Sequence, residues 1–354
     1  MELYKGLLLE KAKKIKIIEN KLVEPGQGEV LIRINNVGLC GSDLHLYEGT
    51  YSAPSNYPIF FGHEWAGTVE KIGRDVKALT TGDKVTGDCS IYCNNCEYCN
   101  KDKNLCKNIQ KYGITIDGAS RQYIIRSEQY LYKLPETISL KIASLLEPLA
   151  VACHAASRLE KVIGNYSKQR ILVYGGGTIG LSVVAVLKKV FNYNDIYLYD
   201  LIPTRMKLAQ KIGAKILENI SLVKSGEQEQ IIYSDFYHPD NFDVIFETTG
   251  VDEVFNNALN IVNPLGSIVV IGFIPEVKIK LKLITLKALN IIGSIGGTGE
   301  FEKLIPVVNK NQEYFSNLIS HRFFFTDWLS AFKVASQREK AIKVQLEFEK
   351  ERKR

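Results

Sequence analysis

The sequence predicts an α/β protein built from a doubly wound parallel sheet and a second, β-rich domain. Three observations carry this. After residue 168, apolar strands alternate with helices, as parallel strands with crossover helices require. Before about residue 135, short strands are separated by Gly, Pro and Asn turns instead. A glycine-rich turn, Gly175 to Gly180, joins a strand directly to a helix. At 354 residues with 45% hydrophobic content, the chain can fill two separate cores.

The start, MELYKGLLLEKAKKIKIIEN, alternates apolar residues with Lys and Glu and lacks the charged, apolar, small-residue order of a secretory signal. No apolar run reaches the roughly 20 residues that a membrane span needs, so a cytoplasmic protein is expected. Alternation predicts strands at 29–37, 67–72, 84–87 and 122–125. At 140 the period changes, because SLLEPLAVACHAASRLEKVI carries apolar and small residues at helical spacing. Apolar runs then predict strands at 171–174, 196–199, 242–247, 267–272 and 291–294, with helices following Thr178, Pro203 and Asp252. The stretch 218–240 is polar and matches no element. Beyond 290 the pattern reads helix, a strand at 318–325, a helix and a last strand at 343–348.

A net charge of +6 spread over 45 basic and 39 acidic residues is too mild and too mixed for a nucleic-acid surface. The one dense basic cluster, 349–354, is interrupted by acids and reads as a frayed terminus. Seven cysteines, four of them between Cys93 and Cys106, point to metal ligation and not to disulfides.

The run Gly175-Gly176-Gly177-Thr178-Ile179-Gly180 fits G-x-G-x-x-G between strand and helix. Gly175 makes the turn, Gly177 lets a pyrophosphate approach the backbone, and Gly180 allows helix and strand to pack closely. The helix N-terminus at Thr178 and Ile179 offers free N–H groups and positive dipole. The next strand ends in Asp200, an acid able to accept ribose hydroxyls and repel a 2'-phosphate, which favours NAD over NADP. Arg205 is placed to contact the adenosine side. The plainer alternatives are that Asp200 only caps the helix at Pro203, and that Arg205 is a surface residue.

Cys93, Cys96, Cys99 and Cys106 form C-x2-C-x2-C-x6-C. Short spacings turn successive thiolates toward one tetrahedral zinc, and four sulfurs leave no vertex open, so a structural zinc is expected, with an iron-sulfur cluster or loss of the metal as the alternatives. A second, dispersed set combines Cys40, His63-Glu64 and Glu147. Singly, these are a small core thiol, a turn histidine and a helix-capping acid. Together they offer the mixed ligands of a site that keeps one position for substrate.

Gly62-His63-Glu64-x2-Gly67-x5-Gly73-x2-Val76, followed by Gly82-Asp83-Lys84-Val85, resembles the catalytic-zinc signature of the zinc-containing medium-chain alcohol dehydrogenases. With the cysteine lobe and the nucleotide fingerprint in order, the resemblance covers nearly the whole chain. Gly38 to His45, Glu147 to Ala150 and Arg205 look most like the sorbitol (polyol) dehydrogenase branch. The resemblance implies a GroES-like catalytic domain over 1–150, with the zinc lobe at about 89–110, a Rossmann NAD domain over 151–287, and a return segment 288–354. It implies Cys40, His63 and Glu64 as ligands of a catalytic zinc, with Glu147 binding directly or through water. Glu64 and Glu147 exchanging as ligand, or Glu64 merely orienting His63, are both open. Ser42 would relay the substrate proton toward the nicotinamide ribose and then to His45, three residues further on and facing solvent. The function implied is NAD-linked interconversion of a secondary alcohol, a polyol or sugar derivative, and its ketone. Family members are dimers or tetramers.

L-threonine 3-dehydrogenase and sugar 1-dehydrogenases are the near alternatives. The first is disfavoured by Leu149-Ala150 after Glu147-Pro148, the second by Asp200. A non-catalytic, zinc-stabilised binding protein is the alternative of another class, and the intact open-position set argues against it. Tyr51, Tyr57 and the Gly296-Gly297-Thr298 stretch are candidates to contact substrate.

Overall fold

The computed structural model describes residues 3–164, 168–220 and 233–349. Contacts divide the chain into two compact units, Met1–Ala150 with Gly296–Arg354, and Val151–Ile295.

The second unit is a six-stranded sheet with every pair parallel, in the order Lys215–Ile216, Ile196–Tyr199, Ile171–Tyr174, Phe242–Glu247, Val262–Val270 and Asn290–Gly293. The order reverses beside Ile171–Tyr174, and such a switch point opens a crevice at the carboxyl ends of the strands. Ile171, Leu172, Val173, Ile245 and Phe246 are buried, as strands covered on both faces must be. The helices Thr178–Lys189, Pro203–Lys211 and Asp252–Ile261 start where the sequence places them; Pro203 suits a first helical turn because its missing N–H is not needed there. The chain leaves this unit at Gly296 and not at residue 288, because Asn290–Gly293 is hydrogen-bonded into the parallel sheet.

Inside this unit the Lys287 ammonium is buried and donates to the carbonyls of Leu259, Asn260 and Val262 at 3.0, 2.6 and 2.9 Å. It thereby closes the C-terminal end of the helix Asp252–Ile261, whose last carbonyls have no helical partner.

The first unit centres on a seven-stranded sheet. Its path runs Leu131–Lys133, Lys84–Gly87, Glu64–Ile72, Glu29–Leu39, Lys343–Glu347 and Ile319–Phe324, with Tyr123–Ser127 also pairing Glu29–Leu39. The alternating N-terminus forms an antiparallel pair, Leu3–Lys11 with Lys14–Lys21. Val30, Ile32, Ile34, Val37, Trp65, Leu346 and Phe348 share one core. Register matters for the site: Gly38 faces Glu64 on one side, and Leu39 faces Val344 on the other.

The apolar helix Leu146–Ile163, with the turn before it, is long enough to cross a membrane, but most of it is buried within the protein. Of the stretch 218–240, residues 221–232 lie outside the described residues, as does the tail from 350 onward; Tyr233–Phe236 forms a short 3-10 turn.

Lys287→Met should lower stability by about 2 kcal/mol, because three buried carbonyls lose their donor. Thermal unfolding of the variant beside the parent measures this; an unchanged midpoint would contradict it.

Candidate active site and metal centres

In the lobe, the four cysteine sulfurs lie within 4.8 Å of one another. Cys96 to Cys99 and Cys93 to Cys106 are 3.5 Å apart, and Cys93 to Cys99 is 3.9 Å. A tetrahedron with zinc–sulfur bonds of about 2.3 Å has edges of about 3.8 Å, so the residues fit a closed zinc site. All seven cysteines of the chain are free. Backbone amides of Cys93 and Asn108 donate to the Cys106 sulfur at 3.3 and 3.4 Å. These amides lower the Cys106 thiol, and those of Lys107 and Cys99 draw Cys96 down to about 6. Cys99 is pushed up to about 12 by burial and by the sulfurs around it, the arrangement of thiols that share protons until a cation replaces them.

The lobe also reaches the return segment. Asn104, buried, accepts from the Thr298 amide at 3.1 Å and donates to the Thr298 carbonyl at 3.3 Å. Asp88 accepts from Tyr132 at 3.0 Å, and Tyr132 stacks on Phe301. Burial raises Asp88 to about 6 against the opposing hydrogen bonds of Tyr132 and Thr298.

The dispersed set assembles at one end of the sheet. Cys40 sits just past the strand Glu29–Leu39 and leads into the helix Gly41–Glu48, while His63 immediately precedes the strand Glu64–Ile72. Ligand atoms of Cys40, His63 and Glu64 lie within 4.8 Å of one another. Glu147 falls outside that trio among the described residues, yet it is buried and close enough for His63 and Glu64 to act on its charge. Burial raises Glu147, opposed by His63. His63 Nδ1 is buried with no hydrogen-bond partner, the Asp43 carboxylate lying 4.0 Å away, the state of an imidazole awaiting an acceptor or a cation. Burial alone would lower His63, but the Cys40 hydrogen bond and charge, with Asp43 and Glu147, hold it well above its ordinary value. A thiolate, an imidazole with an orphaned nitrogen and an adjacent buried carboxylate are a donor set that fits a divalent zinc.

Two residues that the sequence reasoning passed over organise this end. Asp43, fully buried, accepts from the Cys40 amide at 2.8 Å and the Gly62 amide at 3.1 Å, so one carboxylate ties the two ligand-bearing segments together. Its burial raises its pKa, with His63 opposing. The signal was there: an acid three residues after Cys40 is placed to reach back to the amide that starts a helix. The other is Lys343, whose buried ammonium lies 2.6 Å from both oxygens of Glu64. Glu64 is therefore ion-paired to lysine, which the sequence reading as a metal ligand did not anticipate.

Ser42 and His45 are three apart on the helix Gly41–Glu48, which puts them on one face. The Ser42 hydroxyl is buried with no partner; His45 is exposed and hydrogen-bonds Thr50 Oγ1 at 2.9 Å. Tyr51 is half-buried and within electrostatic reach of His63 and Cys40, whereas the Tyr57 hydroxyl is turned back onto the Leu46 carbonyl. His154 is buried in its helix.

In the parallel-sheet unit, Gly175 has φ +102°, and a Cβ on Gly180 would overlap the Gly175 carbonyl, so the turn tolerates only glycine at these places. At Gly177, which caps the helix that starts at Thr178 and Ile179, an added Cβ would meet nothing nearer than Arg205 at 3.8 Å. That is the open cradle a diphosphate needs. Asp200 directly follows the strand Ile196–Tyr199 and accepts from the Gly176 amide at 2.6 Å and the Ile202 amide at 2.7 Å, with an Arg205 nitrogen 3.6 Å away. It braces the glycine turn as well as presenting its charge there.

Residues 26–136 match the alcohol dehydrogenase GroES-like domain family, and 178–310 match the zinc-binding dehydrogenase family. The L-threonine 3-dehydrogenase of Paraburkholderia phymatum is 30% identical over 92% of this chain and 93% of its own. A short chain alcohol dehydrogenase (rspB) of Escherichia coli, crystallised with NADH, superposes with a TM-score of 0.87 at 27% identity, over 98% of this chain and 100% of the other. The L-idonate 5-dehydrogenase of Escherichia coli superposes with a TM-score of 0.86 at 26% identity, over 98% of this chain and 99% of the other.

Metal analysis should find about two zinc ions per chain. Cys40→Ser should reduce this to about one in a folded protein, while Cys96→Ser should lower the melting temperature first; equal thermal loss in both would contradict the division of roles. A second expectation concerns pH. Because Cys96 is depressed in the folded lobe, its thiolate contribution is complete above the usual thiol value and is lost as pH falls through about 6. Zinc uptake by the metal-free protein should therefore weaken as pH falls from about 7 to about 5; a flat profile would contradict it.

Proposed function

Since this chain belongs to the zinc-binding, medium-chain alcohol dehydrogenase family and is an oxidoreductase working with zinc and a nicotinamide dinucleotide, we propose that it interconverts a secondary alcohol of the polyol or sugar-derivative class and its ketone, with NAD as acceptor. The observation that carries this reading is a pair of buried polar atoms with no hydrogen-bond partner, Ser42 Oγ and His63 Nδ1, beside Cys40 and buried acids. Cys40, His63 and a carboxylate would hold the zinc, which would supply Lewis acidity, and the turn Gly175 to Gly180 would hold the dinucleotide, which would supply the hydride acceptor. The chain's own part is positional. Ser42 takes the hydroxyl proton, and exposed His45, on the same helix face, hands it to water. Asp43 fixes the Cys40 and Gly62 amides, so the thiolate and imidazole keep their spacing. Asp200 presents a negative charge where NADP would bring a second one.

The polyol class is supported by the likeness to L-idonate 5-dehydrogenase. Threonine is the second reading, favoured by the L-threonine 3-dehydrogenase relative at 30% identity. Two further parts of the proposal are a homo-oligomer, dimer or tetramer, and a cytoplasmic location. The first is supported by the edge strand Asn290–Gly293, which presents exposed Ile291 near exposed Ile295 and Leu286. The second is supported by seven free thiols. No nucleic-acid or membrane partner is proposed.

A panel of polyols, sugars, threonine and simple secondary alcohols, with NAD and with NADP, tests the reading by absorbance of the reduced cofactor. Turnover of a polyol or sugar acid with NAD is expected; turnover of threonine alone would replace it with the second reading. Asp200→Ala should shift the NAD over NADP preference in kcat/KM by about tenfold or more toward NADP, and an unshifted preference would remove Asp200 from cofactor selection.

A further inference from the structure

In the parallel-sheet unit, the strand Phe242–Glu247 ends in an acid whose side chain is wholly buried. Glu247 pairs in register with Tyr174, the last residue before the glycine turn, on one side and with Val270 on the other. Its Oε1 accepts from the Thr249 amide at 2.7 Å, from the Gly250 amide at 3.1 Å and from the Thr249 hydroxyl. Its backbone carbonyl accepts from the Ile271 and Gly272 amides at 3.0 and 3.1 Å. One residue thus ties down two turns, 248–250 and 271–273, at the carboxyl ends of neighbouring strands.

The two turns meet over this carboxylate. A Cβ on Gly272 would overlap both the Gly250 amide nitrogen and Glu247 Oε2, so only glycine lets them approach so closely. Oε2 itself is buried with no hydrogen-bond partner, which leaves every polar contact of the side chain at Oε1. The glycine turn, by contrast, has supports that do not involve this side chain. Asp200 accepts from the Gly176 amide, and Thr248 donates to the Tyr174 carbonyl from its hydroxyl at 2.8 Å and from its amide at 3.1 Å.

A dinucleotide straddles the switch point of such a sheet, its pyrophosphate on the glycine turn and its adenosine ribose beside the acid that follows the second strand. Here that acid is Asp200, after Ile196–Tyr199, on one side of Ile171–Tyr174. The other half of the cofactor then falls on the opposite side, above Phe242–Glu247 and Val262–Val270, where the two turns stand and where Phe273 is exposed. We propose that Glu247 is the positioning residue for the nicotinamide half of the cofactor: through Oε1 and its carbonyl it locks the turns 248–250 and 271–273 into one floor for the nicotinamide riboside, and it has no part in holding the ADP half.

The inference rests on the reading of Gly175 to Gly180 and Asp200 as the dinucleotide site, and the test separates the two. NADH and ADP are titrated calorimetrically into the full-length parent and its variants. Glu247→Ala should weaken NADH about tenfold and leave ADP within about twofold, because only the nicotinamide side loses its support. Burial raises Glu247 toward its neutral form, opposed by its bonds to Thr249 and Gly250, and glutamine keeps the Oε1 acceptor. Glu247→Gln should therefore hold NADH within about twofold of the parent. Thr249→Val removes one donor to Oε1 and should weaken NADH about threefold with ADP unchanged; this variant carries the test if Glu247→Ala does not fold. NADH and ADP weakened alike, an NADH affinity that these substitutions leave untouched, or a Glu247→Gln variant as weak as Glu247→Ala overturns the proposal. An ADP affinity that Asp200→Ala leaves unchanged would instead defeat the reading of the dinucleotide site beneath it.

Discussion

Buried charge must be matched, and in this protein the matching fixes the geometry at one end of a sheet. Asp43, His63, Glu64, Glu147 and Lys343 are all buried within a few residues of Cys40 in space or sequence. Removing so many ionisable groups from water is unfavourable unless each meets a partner or an ion. The ladder Lys343–Glu347, Glu29–Leu39 and Glu64–Ile72 meets part of that demand by register, since a one-residue slip would turn Lys343 or Glu64 to the opposite face. Two ligand-bearing loops are then tied to each other through Asp43, and the ladder's last strand comes from the far end of the chain. The return segment is thus needed by the site, not merely by the core.

The two candidate metal centres follow different logic. In the lobe, four sulfurs sit at the spacing of a closed tetrahedron, and amide hydrogen bonds favour the thiolate state at Cys96 and Cys106. Asn104 then joins the lobe to the Thr298 backbone. At Cys40 the donors are mixed, and polar atoms of His63 and Ser42 are left without partners. A structural ion needs all its donors committed, whereas a working site keeps capacity in reserve.

Much of this was legible in the sequence where local rules decide. Strands 171–174, 196–199 and 242–247 and the helix starts at Thr178, Pro203 and Asp252 follow from apolar runs and capping signals that act within a few residues. The cysteine lobe follows from spacing, and the glycine turn from its place between strand and helix. What was not legible depends on distant pairing. The strand around Lys343 alternates Val344, Leu346 and Phe348 with Lys343, Gln345 and Glu347, which reads as one core face and one wet face. Yet Lys343 and Gln345 are buried, because Gln345 donates to the Lys141 carbonyl and Ser144 while Lys343 meets Glu64. No local pattern announces a partner 279 residues away. The boundary at 288, taken from the family resemblance, cuts off the strand that the sequence places at 291–294, and because that strand pairs into the parallel sheet the unit runs on to Ile295.

The central claim is that two zinc ions occupy two unlike donor sets of this one chain. Anomalous diffraction from crystals, collected on either side of the zinc absorption edge, tests it most directly. The account predicts two peaks per chain, one among the sulfurs of Cys93, Cys96, Cys99 and Cys106 and one in contact with Cys40 and His63. A single peak confined to the cysteine lobe of fully metallated protein would contradict it.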